Sequence, residues 1–254
     1  MKQRKKLKIF QSVLLFTALT GIWQLICISG AAPEFMLPSP LRVLSAFISD
    51  FSLLSSHSLR TLQEAMTGLF FSAVAAFALA ILMDASPFLN RTITPLLLLT
   101  QSIPTIAIAP LLILWMGYGT APKVTLVFLV CFFPMTIGLI GAFSRADPDS
   151  IRLMKSMRAS KKQIYFYLKI PQALPAFFSG LKISGAYSIV GAVIAEWLGG
   201  DLGLGVYMIR VRRSYSFDKM FAAILITSIL SILLIKIITL MERRIIPWTK
   251  NLEL

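Results

Sequence analysis

Residues 124–144 read VTLVFLVCFFPMTIGLIGAFS, and residues 145–182, which follow directly, read RADPDSIRLMKSMRASKKQIYFYLKIPQALPAFFSGLK. The first stretch carries no charge over a decisive length. A helix rises about 1.5 Å per residue, so about 20 residues cross a hydrocarbon core about 30 Å thick. The second stretch is polar, basic and interrupted by prolines. Working outward, further apolar blocks occupy 9–29, 65–83, 92–116, 183–195 with its flanks, and 220–240, making six in all. Composition agrees with them: 57% of the 254 residues are hydrophobic and 14% charged, where a soluble chain carries roughly a quarter charged. Mean hydropathy is +0.79. Lipid supplies no water for an open strand edge, and the alternation of a membrane barrel is missing, so these blocks read as helices. The predicted fold class is all-α integral membrane, with about six transmembrane helices.

The net charge of +14 could suggest a nucleic-acid partner, but its distribution excludes one. With the N-terminus in the cytoplasm and six helices threaded, 17 of the 25 lysines and arginines fall inside, including Arg145, Lys161, Lys162 and Lys182. Outside fall only Arg42, Arg60, Lys123, Arg210, Arg212, Arg213 and Lys219. That asymmetry is the positive-inside pattern of a multi-pass cell-membrane protein with both termini cytoplasmic. Lys236 remains within the last block, close enough to the inner end for its stem to snorkel among the membrane lipid headgroups. Residues 1–30 form a cytoplasmic tail and first helix. The apolar run there is longer than the 7–15 residues of a signal core, so it reads as an uncleaved anchor, although Gly30-Ala31-Ala32 resembles a cleavage site.

Residues suited to covalent chemistry are few. Cys27 and Cys131 lie in or beside apolar helices with no metal-ligand spacing around them, and no metal is expected. The single histidine, His57, is expected solvated in an external loop. No Gly-x-x-x-x-Gly-Lys phosphate loop exists, so the chain is expected to bind no ATP itself and to be no enzyme. Gly199–Gly205 follows no strand and reads as a tight external turn. Glu196 either meets cargo or a partner helix or rests in the outer headgroups, with Trp197 beside it. Gln101, Pro104 and Pro110 mark the 92–116 block as either a kinked pathway-lining helix or an ordinary proline kink. A secondary transporter would want intramembrane ionisable groups, for which only Lys236 and the marginal Glu196 qualify. An intramembrane enzyme would want a nucleophile or metal ligands at depth, and the chain offers little.

The connection at 145–182 is the most informative part. Asp147-Pro148 starts a helix, with Asp as N-cap and Pro at the first helical position. Ile151, Met154 and Met157 recur every three residues, with Arg152, Lys155 and Arg158 on the adjoining faces. Ala159-Ser160 breaks it, Ser160 caps a second short helix to about Tyr167, and Pro171 and Pro175 are expected to stop that helix before the next membrane block. Two short amphipathic helices result. They either lie flat on the membrane or dock a soluble partner by the helix-in-groove mode.

The run Asp149-Ser-Ile-Arg-Leu-Met-Lys-Ser-Met-Arg-Ala-Ser160, then Ile170-Pro171-Gln-Ala-Leu-Pro175, then Ser179-Gly-Leu-Lys182 resembles the cytoplasmic EAA loop of type I ABC importer permeases. Leu37-Pro-Ser-Pro40 and Gly203-Leu-Gly205 are similar to the nitrate/sulfonate/taurine/thiamine-precursor group of that family. The resemblance implies an ABC type-1 transmembrane domain over 57–241, with its coupling loop at 145–178. It also implies two permease copies as a homodimer, partner ABC ATP-binding subunits that use ATP-Mg, and an external substrate-binding protein or lipoprotein that delivers cargo. The coupling residues it points to are Asp149, Arg152, Leu153, Met154, Lys155, Arg158, Ala159, Ser160, Ile164 and Pro171. Ala195-Glu-Trp-Leu-Gly-Gly200 and Val206-Tyr-Met208 look most like permeases for hydroxymethylpyrimidine-type thiamine precursors, with sulfonate or taurine, nitrate and riboflavin as alternative cargoes.

Two departures stand out. Arg152-Leu153-Met154 occupies the place of the Glu-Ala-Ala triplet, and Arg158 that of the motif glycine. A left-handed residue there would cost Arg about 1–2 kcal/mol, so a differently built turn is expected. The reversed charge at Arg152 implies that the partner ATPase carries compensating carboxylates. Reversing Arg152 and Lys155 together should therefore uncouple ATP hydrolysis from uptake in reconstituted vesicles, and unchanged coupling would rule the compensation out.

Overall fold

The computed structural model describes residues 2–30, 33 and 36–248, the side chains of 2–9, 12 and 101 excepted. The side chains of the basic tail (Lys2, Arg4, Lys5, Lys6, Lys8), Ala31-Ala32 of the cleavage-like site, Lys250 and the side chain of Gln101 therefore lie outside the described residues. The helices are α1 (Lys2–Ile28), α2 (Pro40–Ser49), α3 (Phe51–Ala85), α4 (Pro87–Gln101), α5 (Thr105–Met116) and α6 (Thr120–Ser144). They continue with α7 (Pro148–Ser156), α8 (Lys161–Ile164), a π turn (Tyr165–Lys169), α9 (Ile170–Leu198), α10 (Leu204–Arg213) and α11 (Phe217–Ile245).

Among the described residues four helices are long and apolar enough to cross a bilayer: Phe51–Ala85, Thr120–Ser144, Lys161–Leu198 and Phe217–Ile245. Counting one bent helix pair as a single span gives up to five spans among the described residues, and the first expected block, 9–29, includes side chains outside them. The block at 92–116 is not one helix but a pair, Pro87–Thr100 and Thr105–Met116, bent by 97°. The bend follows from Pro104, which has no N–H to offer the Thr100 carbonyl; the chain turns there through Ile103 N–H to Thr100 O at 3.3 Å. In α1 the apolar stretch with described side chains is Val13–Ile28, shorter than a full span.

Two spans outrun the apolar blocks that announced them. α3 has 35 residues, about 52 Å at the helical rise, and starts well before Ala65. Pro171 and Pro175 do not stop a helix either. Lys161–Leu198 runs as one 38-residue rod because the π turn widens the backbone just ahead of Pro171, with Ile170 N–H bonding back five residues to Tyr165 O. That widening accommodates a ring that would otherwise press on the preceding turn.

The core lies where α3, α6, α9 and α11 meet, around Leu69, Val127, Cys131, Met135, Leu139, Phe143, Ile189 and Ile238. In lipid the hydrophobic effect does not drive helix against helix, so close backbone approach and interhelical hydrogen bonds must. Both are present. A Cβ on Gly68 would fall 2.5 Å from Val127 Cγ1 and 3.0 Å from Val124 O. The Ser72 hydroxyl donates to Phe128 O at 2.9 Å, and the Ser184 hydroxyl donates to Cys131 O at 3.1 Å. The outer surfaces are apolar, with Phe16, Leu114 and Ile232 each at least 65% exposed, which suits a lipid solvent. Lys236 is also exposed.

Gly68→Ala should lose about 1–3 kcal/mol through overpacking. Gly138→Ala, where a Cβ meets nothing within 4 Å, should be neutral or slightly stabilising. Thermal unfolding of the detergent-solubilised protein distinguishes the two.

Candidate coupling and translocation elements

At one end of the bundle α7 projects, joined to it through α8. The Asp147 carboxylate caps α7, accepting from Asp149 N at 3.2 Å and Ser150 N at 3.1 Å, and also from the Ser150 hydroxyl. The Ser150 hydroxyl, followed by these backbone donors, holds that carboxyl below the ordinary aspartate range. α7 buries no residue fully. Ile151 and Met154 of the expected apolar stripe are half-buried, whereas Met157 is 74% and Leu153 63% exposed. Leu153 and Met157 are four residues apart, hence on one face. The free apolar face is thus Leu153–Met157, bordered by exposed Arg152, Lys155 and Arg158. Arg152 pairs with Asp149 at 3.2 Å, both in solvent, a contact worth little by itself.

Arg158 corrects the expectation of a differently built turn. Its φ is +58°, and Ala159 N–H bonds Met154 O at 3.0 Å while Arg158 N–H bonds Lys155 O at 2.9 Å. That is the Schellman stop, with arginine where glycine would be unstrained. The left-handed turn is kept at a conformational penalty. Ser160 and Gln163 then close a capping box that starts α8, and Ile164 is buried.

The α8 end is wired into the bundle. Lys169 Nζ reaches Asp84 of α3 at 2.6 Å, the Tyr165 hydroxyl donates to the same carboxylate, and Lys182 pairs with Glu242 of α11 at 2.9 Å. Because α8, the π turn and α9 are continuous, displacement of α8 moves a whole span.

Along the faces of α6 and α9 away from α3 runs an open groove. Its upper part, about 390 Å³, is lined by Thr100, Ile103, Thr105, Val130, Phe133, Tyr187 and Val190 among others. Its lower part, about 840 Å³, shares Pro134 and ends at Arg145, Asp147 and Gln172 near α7. Pro104, exposed at the α4–α5 break, sits between two lining residues. Glu196 and Trp197 do not line this groove; they border a separate cleft at the opposite end of the bundle.

That opposite end holds a buried polar cluster that sequence reading missed. Glu196 is 1% exposed and does not rest in headgroups. Its carboxylate accepts from the Thr61 hydroxyl at 2.7 Å and from Gly205 N–H at 2.7 Å, and Thr61 Oγ1 accepts from Leu204 N–H at 2.9 Å. His57, expected solvated, is buried in α3, where Nδ1 accepts from Gly203 N–H at 2.9 Å. Glu64 binds Lys123 at 3.0 Å and Arg60 at 3.1 Å; Glu64 and Lys123 are both buried. The two glycines are required for space: a Cβ on Gly203 would fall 2.1 Å from Glu196 Cδ, and one on Gly205 would fall 2.3 Å from Val193 O. The only sequence signal was a charge at each block end, which reads equally well as a headgroup contact. Among the described residues no group of three metal-ligating side chains assembles.

Glu64→Leu strands Lys123 as an uncompensated buried cation and should cost about 3–5 kcal/mol, much of it recovered in Glu64→Leu/Lys123→Leu. Melting temperatures of the two variants in detergent test this, and a double variant no better than the single would refute the pairing.

Comparison with known proteins places the architecture. The family profile described as "Binding-protein-dependent transport system inner membrane component" matches residues 41–247. A probable ABC transporter permease protein of Haemophilus influenzae is 34% identical over 229 residues, 90% of this chain and 94% of that one. The formylaminopyrimidine transport permease protein ThiX of Halalkalibacterium halodurans is 33% identical over 249 residues, 98% and 99% of the two chains. A chain of the MetNI methionine ABC transporter in an inward-facing form superposes with a TM-score of 0.65 at 19% identity, over 78% of this chain and 97% of that one; this likeness speaks for the fold alone. The match across the four-span core makes the chain a multi-pass member of the binding-protein-dependent transport-system inner membrane components, the ABC importer permease subunits that carry no ATPase site of their own.

Proposed function

We propose that two copies of this permease face each other across the α6–α9 groove, turn α7 and α8 toward the cytoplasm, and pass a small neutral heterocycle, a thiamine pyrimidine precursor, from an external binding protein. The observation that carries the proposal is the junction of an exposed Leu153–Met157 face, bordered by Arg152, Lys155 and Arg158, to a rod that is itself a membrane span. A soluble ATPase that seats α7 in a groove pushes on α8, and α8 cannot move without α9. The ion pair from Lys169 to Asp84 carries the same displacement into α3. ATP-Mg acts on the partner, and this chain converts its closure into a change of access, which requires the two states to differ in how they hold α7. Asp149 pairs with Arg152 in the first turn of α7, Ser160 caps α8, Ile164 and Pro171 root the loop in the bundle, and Arg158 sets the turn between the two helices.

The groove supports this choice of cargo. At about 390 Å³ its upper part is of the size that takes small ligands, and its lining offers hydroxyls and aromatic faces (Thr100, Thr105, Phe133, Tyr187) with no charged residue. A sulfonate or nitrate would want a cation there, while a neutral pyrimidine wants a ring to stack on and a hydrogen-bond partner. A relative named for formylaminopyrimidine supports the same choice. Uptake into proteoliposomes containing the permease, its ATPase and its binding protein should be blocked by hydroxymethylpyrimidine and not by taurine or nitrate. Tyr187→Ala should cut uptake about tenfold with ATPase assembly intact. A membrane-impermeant amine reagent should modify Lys161 and Lys162 only from the cytoplasmic side, and modification from outside would overturn the orientation.

A further inference from the structure

At the end of the bundle that the proposed orientation turns outward, Arg60, Lys123 and Lys219 find acidic partners within the chain. Glu64 takes Lys123 and Arg60, and Asp50 takes Lys219 at 2.8 Å. α10 is different. Its last turn carries Arg210, Arg212 and Arg213, all exposed, and among the described residues no carboxylate lies within ion-pair distance of any of them. Arg210 donates to the Asp201 carbonyl at 2.7 Å, a neutral partner. The helix C-terminus supplies roughly half a negative charge, far short of three cations. Uncompensated arginines are also gathered on the side where positive charge is otherwise sparse.

The shape around them is equally specific. Arg210 and Arg213 edge a cleft of about 290 Å³ whose other walls include Trp197, Gly199, Gly200 and Glu196. Glu196 is 1% exposed and, among the described residues, makes no ion pair with any of the three arginines. Two adjacent glycines form one wall, where the backbone packs closely against Tyr118 and Lys123. Arginine and tryptophan around a concave site are the residue types that anchor protein interfaces, whereas a lipid headgroup layer needs no cleft.

We infer that this α10 cleft is where the external binding protein seats, through a carboxylate side chain that enters between Arg210 and Arg213 beside Trp197. The inference rests on the proposed orientation and on a binding-protein partner. Opposite charges at such a rim act mainly on the encounter rate and its salt dependence.

The test uses the assembled importer in nanodiscs, with its purified binding protein as probe. The readouts are association rate at low and high salt, stimulated ATPase activity and basal ATPase activity. Arg210→Glu/Arg212→Glu/Arg213→Glu should slow association tenfold or more, flatten its salt dependence and abolish stimulation, with basal hydrolysis and complex assembly unchanged. The triple lysine variant should retain most of the rate, and the milder Arg213→Ala should show a smaller loss in the same direction. Association within twofold of wild type for the triple glutamate variant would overturn the inference while leaving the importer reading standing. A loss seen only in discs containing phosphatidylglycerol, and absent in phosphatidylcholine, would assign the arginines to lipid and overturn it too. No stimulation of the wild-type complex by any amount of binding protein would bring down the proposed function together with the inference.

Discussion

Glu196 closes the end of the bundle opposite α7 and α8 by accepting two hydrogen bonds, one from Thr61 on α3 and one from the backbone of Gly205. A carboxylate away from water is tolerable only when its oxygens are satisfied, so this one dictates its surroundings. It needs a hydroxyl on α3 at the right height, a backbone N–H presented by the 199–205 turn, and glycines where any Cβ would collide with it. His57 and Leu204 N–H complete the attachment, holding the turn onto α3. The Glu64–Lys123 pair joins α3 to α6 at the same level. Three spans and the turn before α10 thereby share one polar knot in an otherwise apolar bundle.

The opposite end follows another logic. Among the described residues no charged group there is buried as deeply, and the short helices α7 and α8 are defined by caps more than by packing: Asp147 and Ser160 start them, and the Arg158 turn separates them. Capping fixes the shape of the loop without anchoring α7 to the bundle, so its apolar pair stays available. The surviving anchors, Asp84 with Lys169 and Glu242 with Lys182, lie at the roots of α9 and α11. A tight knot at one end and a stiff but detached handle at the other suit a part that rocks about its far end.

The keeping of a left-handed arginine at 158 shows how a motif survives loss of its usual residue. Backbone hydrogen bonds from Arg158 and Ala159 to the last turn of α7 satisfy carbonyls that would otherwise go unpaired. Those bonds outweigh the steric cost of the side chain. Tyr215 repeats the device after α10, at φ +56°, with Ser216 N–H bonded to Val211 O and Tyr215 N–H to Arg212 O.

By itself the sequence determined the solvent, the helical class, the approximate place of the spans and the caps of the two short helices after α6. Each depends on local composition, on apolar length against bilayer thickness, or on a capping residue next to its helix. Tertiary structure decided where the helices truly end, because α3 and α9 extend as polar-flanked rods that hydropathy cannot see past Ala65 or before Ile183. It also decided the bend at Pro104 against the continuity through Pro171, since a proline breaks or merely widens a helix according to what surrounds it. The fates of His57, Glu64, Lys123 and Glu196 were set in the same way. A single charge at a helix end looks solvated until the fold brings its partner, from 59 residues away for Glu64 and Lys123 and 135 for Thr61 and Glu196, into hydrogen-bonding distance.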